Sequence, residues 1–397
     1  MTDWPEHEHQ KVAWRSTSRR GNRDDRTLSE ITVSLPPHIA SLDVPPPPPR
    51  EILRARYETE ELEHVAGDIL GPLAGFLIRM ESVASSRIEH LDASTTAFAR
   101  ALGGLKENSS AVSMVSAGRA ITALISASET SIDLDEILHA HELLMRDDPD
   151  ERSYAGRVRD VQNWIGGSHF SPRNALYLPP PPELVPDYLT DLLLFANRDD
   201  VDPVAQAAIV HAQFESIHPF TDGNGRIGRA LIGAVLRRRD VTPATVLPVA
   251  SALAADTDHY FGLLTAYRRG DADAIVTDVA LCVEVAAREA RRTARSFIRY
   301  SDAWRHVVGL RAGSATESIL DVLVGLPVFT AEQLTAHTGL RERAVYRAIE
   351  QLQESRIITE VTNRKRDRVY AVTDVLDEFD DLDERIRSRI TRLRAAT

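Results

Sequence analysis

The spacing of apolar residues along the chain predicts a mainly α-helical protein. Apolar positions recur every three or four residues, which is the period of amphipathic helices. The segments with this period are 60–91, 111–146 (two helices, the second Leu134–Met145), 183–197, Pro203–Ile217 and 271–300. Gly71-Pro72 is expected to kink or split the first segment. Residues 1–33 lack the period and are predicted to be a disordered tail.

Three further stretches interrupt the helical pattern. The prolines at 45–49 predict a stiff spacer before the first helix, with an SH3-type ligand as the alternative. At 153–182, paired glycines and short apolar runs predict a β-hairpin. At 314–375, predicted helices at 316–324, 330–339 and Glu342–Glu354 precede two apolar runs that flank a charged turn at 363–368. This order resembles a winged helix-turn-helix, an α+β module, and residues 376–397 are predicted to form a C-terminal helix.

The stretch from His218 to Arg229 collects most of the candidate chemistry. His218 titrates near neutrality and can accept a proton from a hydroxyl. Asp222 is a hard oxygen ligand of the kind that Mg²⁺ takes, and residues 223–225 offer backbone N–H groups at the start of a predicted helix, where an anion is favoured. Arg226 and Arg229 are three residues apart on one face of that helix. Together these groups predict a site for a polyphosphate, a divalent metal and a proton acceptor.

Other interpretations of this region are less favourable. Gly223, Gly225 and Gly228 match the G-x-G-x-x-G dinucleotide fingerprint, but that fingerprint follows a buried strand, whereas a helix is predicted here. A surface loop that caps a helix leaves the mixture of side chains unexplained. His211 and Glu215 lie four residues apart and form either a metal pair or polar packing. Because no third ligand stands at a suitable spacing, we interpret them as packing.

The fixed residues of the stretch, His-Pro-Phe-x-Asp-Gly-Asn-Gly-Arg-x-x-Arg, resemble the signature of the Fic family. Most characterised members transfer AMP from ATP to a protein hydroxyl. The resemblance implies that His218 is the catalytic base, that Asp222 holds Mg²⁺, and that Arg229 holds the γ-phosphate. The nucleotide-binding residues that it implies, including the anion hole of the loop, are Gly223, Asn224, Gly225, Arg226, Gly228 and Arg229.

The Fic resemblance extends over residues 34–300, with an N-terminal region at 34–110 and a catalytic core at 111–300. Ser85 and Glu89 resemble the inhibitory motif of members that carry their inhibitor before the core, which implies that Glu89 pairs with Arg229 and blocks the γ-phosphate position. His90 departs from that motif, because Gly or Asn is usual there.

Two other segments of the core also resemble the family. The predicted hairpin at about 156–178 resembles the Fic flap, which lays the target segment beside the nucleotide. Tyr260 lies in a segment that resembles the one closing the adenine pocket, which implies that it stacks on the base.

Composition narrows the location and partners. The 397 residues carry a net charge of −12, which argues against non-specific nucleic-acid binding by the whole chain. The single cysteine, Cys282, excludes an internal disulfide framework. No signal peptide or membrane span is expected, so the predicted location is cytoplasmic. Residues 341–368 carry eight basic and five acidic residues. DNA is therefore a candidate partner, through Arg341, Arg343 and Arg347 on the second helix and through the run from Arg364 to Arg368 at the wing.

The leading hypothesis is a Mg²⁺-dependent protein adenylyltransferase that uses ATP, modifies a Ser, Thr or Tyr hydroxyl of a target protein or of itself, and is held back by Glu89. One alternative is a nucleotide-sensing, DNA-binding transcriptional regulator. Another is a Fic enzyme with a different transfer or with de-AMPylation activity. The module at 314–375 serves DNA binding, homodimerisation or target docking in these hypotheses.

Overall fold

The computed structural model describes residues 4–15, 21–44, 47, 49–309, 313–362, 364 and 367–396. Its strands are β1 (Glu8–Ala13), β2 (Glu30–Leu35), β3 (Val328–Thr330), β4 (Ile358–Glu360) and β5 (Val369–Val372). Its helices are α1 (Arg23–Thr27), α2 (Pro49–Ala66), α3 (Leu70–Ile88), α4 (Thr95–Leu102), α5 (Ser109–Ala127), α6 (Leu134–Met145), α7 (Val185–Ala196), α8 (Pro203–Ile217), α9 (Asn224–Arg238), α10 (Val249–Leu253), α11 (Thr257–Arg268), α12 (Ala272–Val308), α13 (Ala315–Leu323), α14 (Ala331–Thr338), α15 (Glu342–Glu354) and α16 (Thr373–Arg394). The prediction of a mainly α fold is confirmed.

The chain divides into two compact units. Unit 1 comprises Met1–Ile52, Arg119–Asp240 and Thr257–Ala280, and unit 2 comprises Leu53–Gly118, Val241–Asp256 and Leu281–Thr397. This division differs from the predicted boundaries at 110 and 300, because the chain enters each unit three times.

Helix α8 is the central helix of unit 1. Its side chains are buried from Val204 to Ile217, as expected of a helix that carries small and apolar residues on every side. The Asp202 side chain caps its start by accepting from the N–H groups of Val204 and Ala205. Helices α7, α9 and α11 pack against α8, which places the stretch that follows α8 beside the centre of the unit.

The prediction of a disordered tail at 1–33 is wrong for the described residues. Strands β1 and β2 pair antiparallel, from Glu8 opposite Leu35 to Ala13 opposite Glu30. Ile31 and Val33 of β2 are buried, and the N–H of Ser34 donates to the carbonyl of Leu178 at 2.9 Å. The segment is thus held by residues more than a hundred positions away, so the local pattern gives little sign of it.

The first long helix of unit 2 is broken earlier than predicted. A short 3₁₀ turn at Gly67–Ile69 separates α2 from α3, and Gly71-Pro72 lies inside the first turn of α3. Proline is tolerated there because the first N–H groups of a helix have no acceptor within it. Phe76 of α3 then packs edge-on against Phe297 and Phe379, with ring centroids 5.0 and 5.6 Å apart.

A three-stranded sheet completes the C-terminal part of unit 2. Its strand order is β3-β5-β4, antiparallel throughout; along the chain β3 lies between α13 and α14, and β4 and β5 follow α15. Gly339 ends α14 with a left-handed φ of 67°, as the predicted stop requires. The three helices and the last two strands lie where the sequence placed them, whereas β3 was not predicted. The resemblance to a winged helix-turn-helix stays a prediction. Within the charged turn, residues 363, 365 and 366 lie outside the described residues, and the C-terminal helix begins at Thr373 rather than 376.

One helix in the described part of the chain, α5, is long and apolar enough to cross a membrane. Of its most apolar window, 44% is buried within the protein. Core helices pass the same test of length and composition, so a single such helix is weak evidence for a membrane span. The cytoplasmic location stays a prediction.

Candidate active site

Helix α8 ends at a strained residue, and that residue is His218. Its backbone has φ 51° and ψ 60°, and its N–H donates to the carbonyl of Phe214 at 2.9 Å. A left-handed conformation costs a residue other than glycine about 1–2 kcal/mol, so the surrounding structure must hold it. The left-handed turn ends the buried helix at Ile217. The next residue, His218, is half-buried, so a reacting group can reach it.

The loop after His218 is closed by a reciprocal pair of hydrogen bonds. The N–H of Phe220 donates to Oδ1 of Asn224 at 2.8 Å, and Nδ2 of Asn224 donates to the carbonyl of Phe220 at 2.9 Å. Asn224 is 2% exposed. Its side chain therefore shapes the loop from within, and only its backbone N–H is left for the predicted anion hole.

Helix α9 begins without a side-chain cap. Its N-cap is Gly223, with φ 79°, and a Cβ there would lie 3.0 Å from Cδ2 of Leu144. Only glycine fits both constraints. Because the first N–H groups of a helix lack acceptors within it and the macrodipole is positive there, this end of α9 favours an anion. Asn224 and Gly225, the first two residues of the helix, carry the N–H groups that the sequence predicted for this role.

Asp222 and Arg226 form an ion pair at the same end of α9. Nη2 of Arg226 lies 3.2 Å from Oδ2 of Asp222, and the two side chains are 6% and 52% exposed. The N–H of Gly223 donates to Oδ1 of Asp222 at 2.7 Å. The described residues contain no group of three or more His, Cys, Asp or Glu able to hold a metal ion. The exposed carboxylate of Asp222 is suited to bind Mg²⁺, which needs as little as one protein carboxylate when phosphates and water supply its other ligands.

The later signature positions of α9 are buried. Arg229 is 2% exposed, and its contact with the γ-phosphate stays a prediction. A Cβ at Gly228 would lie 2.8 Å from Oε1 of Glu215 and 3.2 Å from Cδ1 of Phe214, and the nucleotide-binding role of Gly228 stays a prediction. Gly228 permits the close packing of α9 on α8.

Tyr260 is corrected from a base-stacking residue to a packing residue. It is 1% exposed, its ring stacks on His211 with centroids 5.8 Å apart, and its hydroxyl lies 2.9 Å from Nε2 of His211. Burial, with the charge of Arg229, lowers the pKa of His211 to about 3, so this histidine is neutral. The interpretation of His211 as polar packing is confirmed. A helix, α8, precedes the glycines, which removes the dinucleotide interpretation.

His141 is a site residue that the sequence did not reveal. The N–H of Gly156 donates to its Nδ1 at 3.0 Å, so Nε2 carries the proton and donates to the carbonyl of Asp222 at 3.1 Å. Its ring stacks on Phe220 at 3.7 Å. Burial, the largest cause, and the charge of Arg226 lower its pKa to about 4. His141 thus joins the loop at Asp222 to the start of the predicted flap.

The predicted hairpin at 156–178 is reduced to a single bridge. Ile165 and Tyr177 pair antiparallel, and no strand is formed on either side of them. Gly166 and Gly167 have φ of 72° and 74°, as their positions in the turn require. Leu176, beside the bridge, is 86% exposed. The chain folds back where the sequence predicted, but without the length of a hairpin.

In unit 2, α3 ends in a left-handed turn at His90, the position where the inhibitory motif usually carries Gly or Asn. His90 has φ 59°, its N–H donates to Arg87 O at 2.9 Å, and the N–H of Leu91 donates to Ser86 O at 3.1 Å. These two bonds form the Schellman motif, which usually takes glycine or asparagine at the left-handed position. His90 therefore adopts the left-handed conformation that glycine or asparagine usually supplies in this motif. Ser85 is 1% exposed and Glu89 is exposed, and the inhibitory role of Glu89 stays a prediction.

Comparison with known proteins agrees with this geometry. Residues 131–236 match the family model described as "Fic/DOC family". "Protein adenylyltransferase fic-1" of Caenorhabditis elegans is 33% identical over 150 residues, which are 36% of this chain and 27% of that protein. "Protein adenylyltransferase Fic" of Nematostella vectensis is 32% identical over 165 residues, which are 41% of this chain and 34% of that protein. The chain thus spans between a quarter and about a third of the length of these two relatives.

A solved structure extends the likeness of fold beyond the matched segment. The crystal structure of a Fic family protein from Desulfovibrio desulfuricans G20 is 24% identical and superposes with a TM-score of 0.54, covering 84% of this chain and 98% of that one. The likeness supports a common fold. Taken with the signature loop between α8 and α9, these matches show that the chain contains a Fic domain, with its family segment at residues 131–236.

Proposed function

We propose that this chain is a protein adenylyltransferase that transfers AMP from ATP to a protein hydroxyl. The observation that carries the proposal is the loop between α8 and α9, which presents a half-buried His218 and an uncapped helix N-terminus within six residues of each other. One short loop thus holds a proton acceptor and an anion site. Relatives of this segment are named protein adenylyltransferases, which supports AMP as the group transferred.

In the proposed mechanism, His218 takes the proton of a Ser, Thr or Tyr hydroxyl. The hydroxyl oxygen forms a bond to the α-phosphorus of ATP, and the bond from that phosphorus to the bridging oxygen breaks, so that pyrophosphate leaves. The N–H groups of α9, Arg226 and Arg229 stabilise the negative charge. Mg²⁺ held by Asp222 would neutralise phosphate charge. Positioning and electrostatics supply most of the rate enhancement in such a site, because none of the catalytic residues forms a covalent bond to the phosphorus.

The target segment is proposed to lie along residues 156–178. The bridge between Ile165 and Tyr177 leaves Leu176 exposed, and an extended segment can add to such a chain by main-chain hydrogen bonds. Strand addition reads few side chains, so this surface would position a hydroxyl more than it would select a sequence.

We assign an inhibitory role to Glu89. In support, His90 adopts the left-handed turn that the Gly or Asn usual at this position of the inhibitory motif would favour. Loss of the Glu89 carboxylate should therefore raise the transfer rate.

Four α-labelled nucleoside triphosphates would test the reaction. Purified Glu89→Gly protein with Mg²⁺ should label itself or a lysate protein from ATP in preference to the other three. His218→Ala in that background should lower the rate by at least about 100-fold, the scale of a lost general base. His139→Ala is the matched control, since His139 is an exposed histidine of α6. Undiminished transfer by the His218→Ala protein would contradict the mechanism, and preference for another nucleotide would favour a different transfer.

DNA binding through residues 341–368 is a second candidate function. Arg341, Arg343 and Arg347 are exposed on or beside α15, which favours it. Arg364 and Arg368, however, pair with Glu107 and Glu360. Salt-sensitive binding of genomic fragments that is lost in the Arg343→Ala/Arg347→Ala protein would support DNA recognition. Absence of binding at low salt would leave homodimerisation or target docking for this module, which sedimentation of the full chain distinguishes.

A further inference from the structure

Five consecutive carbonyl groups in and just before the catalytic loop are hydrogen-bonded by one segment of the chain. These carbonyl groups belong to residues 216–220, the last two residues of α8 and the first three of the loop, and the donors come from residues 159–177. The bonds are Tyr177 Oη to Ser216 O (2.6 Å), Arg159 Nη2 to Ile217 O (3.5 Å), Arg159 Nε to His218 O (2.8 Å), the Arg159 N–H to Pro219 O (2.9 Å) and Asn163 Nδ2 to Phe220 O (2.7 Å). The segment proposed to receive the target is therefore attached to the backbone of the proposed base.

Arg159 is the centre of this attachment. It is 2% exposed, and besides the loop carbonyls its guanidinium donates to Pro180 O at 2.6 Å and to Val161 O at 3.1 Å. Burial, the largest cause, lowers its pKa to about 10, so it stays charged at neutral pH. A cation is favoured at the C-terminus of a helix, which is where Ile217 and His218 lie. The planar fork of arginine suits several carbonyls at once, whereas a lysine ammonium does not.

We propose that Arg159 is a positioning residue that holds His218 in its left-handed conformation and sets the base in register with the target segment. Both main-chain polar groups of His218 are engaged, the N–H by Phe214 O and the carbonyl by Nε of Arg159. That backbone sets the direction of the Cα–Cβ bond from which the imidazole extends. The inference rests on the proposed function, because it gives His218 the role of base.

Replacement of Arg159 should separate chemistry from nucleotide binding. In the Glu89→Gly background, Arg159→Met should lower kcat by about 10–100-fold, the scale of a misplaced catalytic group. The KM for ATP should change less than about two-fold, because the N-terminus of α9 is untouched. Arg159→Lys keeps the charge and should recover part of kcat. Arg152→Met is the matched control, since Arg152 is an exposed arginine that precedes Arg159 by seven residues. This substitution should leave both kcat and KM unchanged.

A second readout does not depend on activity. With isotope-labelled histidine, the ring resonances of His218, assigned by their loss in His218→Ala, should move or broaden in Arg159→Met and stay in place in Arg152→Met. If Arg159→Met does not fold, Arg159→Lys carries the same test. An unchanged kcat, or unchanged His218 resonances, in a folded Arg159 variant would overturn the inference. Absence of AMP transfer by every variant would overturn the proposed function instead. The His218 resonances would still test whether Arg159 positions His218.

Discussion

Three buried histidines should make unit 1 sensitive to mild acid. Burial lowers the pKa of His7 to about 3, that of His141 to about 4 and that of His211 to about 3, from an ordinary value of 6.5. Each is neutral in the folded protein. As the pH falls below 6.5, the unfolded chain binds a proton that the folded chain does not bind, so stability is lost in the window between 6.5 and the folded pKa.

The size of the effect follows from the shifts. Each pH unit in this window costs about 1.4 kcal/mol per histidine, because one pKa unit corresponds to that free energy. At about pH 5, which is roughly 1.5 units below 6.5, each histidine therefore lowers the free energy of unfolding by about 2 kcal/mol relative to about pH 7.5. His211 makes the clearest case, since it is fully buried and bonded to Tyr260.

Urea unfolding at the two pH values would measure this difference. Trp4, Trp14 and Trp164 lie in unit 1 and Trp304 lies in unit 2, so a Trp304→Phe background lets fluorescence report on unit 1 alone. His211→Gln should reduce the pH-dependent loss by about 2 kcal/mol, whatever it does to stability at neutral pH. The exposed His139, replaced by glutamine, is the control. If the loss between the two pH values is the same with and without His211, the reasoning is refuted.

Other predictions concern backbone and packing. His90→Gly should raise the free energy of unfolding of unit 2 by about 0.5–1 kcal/mol, because glycine relieves the left-handed strain; a lower melting temperature would count against it. Gly228→Ala should cost about 1–3 kcal/mol, because the added Cβ would meet the buried rings of Phe214 and His211 as well as Glu215; equal urea midpoints would contradict this. Asp25→Ala should speed amide hydrogen exchange at 165–177, because Asp25 accepts from Ser171 at 2.7 Å; unchanged exchange would show that this bond does not order the segment.

Helices with a clear local signal could be predicted from the sequence. The bounds of α6, α8 and α15 match the predictions, because each carries a sustained apolar period or a proline at its start. Breaks were harder to locate. The turn at 67–69 lies before Gly71-Pro72, since a proline near a helix start does not interrupt it. Strands β1 and β2 were missed because the groups that hold the pair in place, such as the carbonyl of Leu178 that accepts from Ser34, lie far away in the sequence.

The contiguous part of the candidate site was visible in the sequence, and its supports were not. His218, Asp222 and Gly223 stand within six residues, and their residue types alone suggest the chemistry. Arg159 lies 59 residues from His218 and donates to main-chain carbonyls. Because every residue type has a carbonyl, the sequence gives no sign of such a bond. Tyr260 was misassigned for a related reason, because its burial depends on a helix that lies elsewhere in the sequence.

The most direct test of the central claim is a time course of AMP incorporation from α-labelled ATP with Mg²⁺. It would compare the wild-type, Glu89→Gly and Glu89→Gly/His218→Ala proteins at equal concentration, each checked for folding by its melting temperature. We expect the Glu89→Gly protein to label faster than the wild type and the double variant to lose the label. Equal labelling by the single and double variants, or no labelling by any folded variant, would contradict adenylyl transfer by His218.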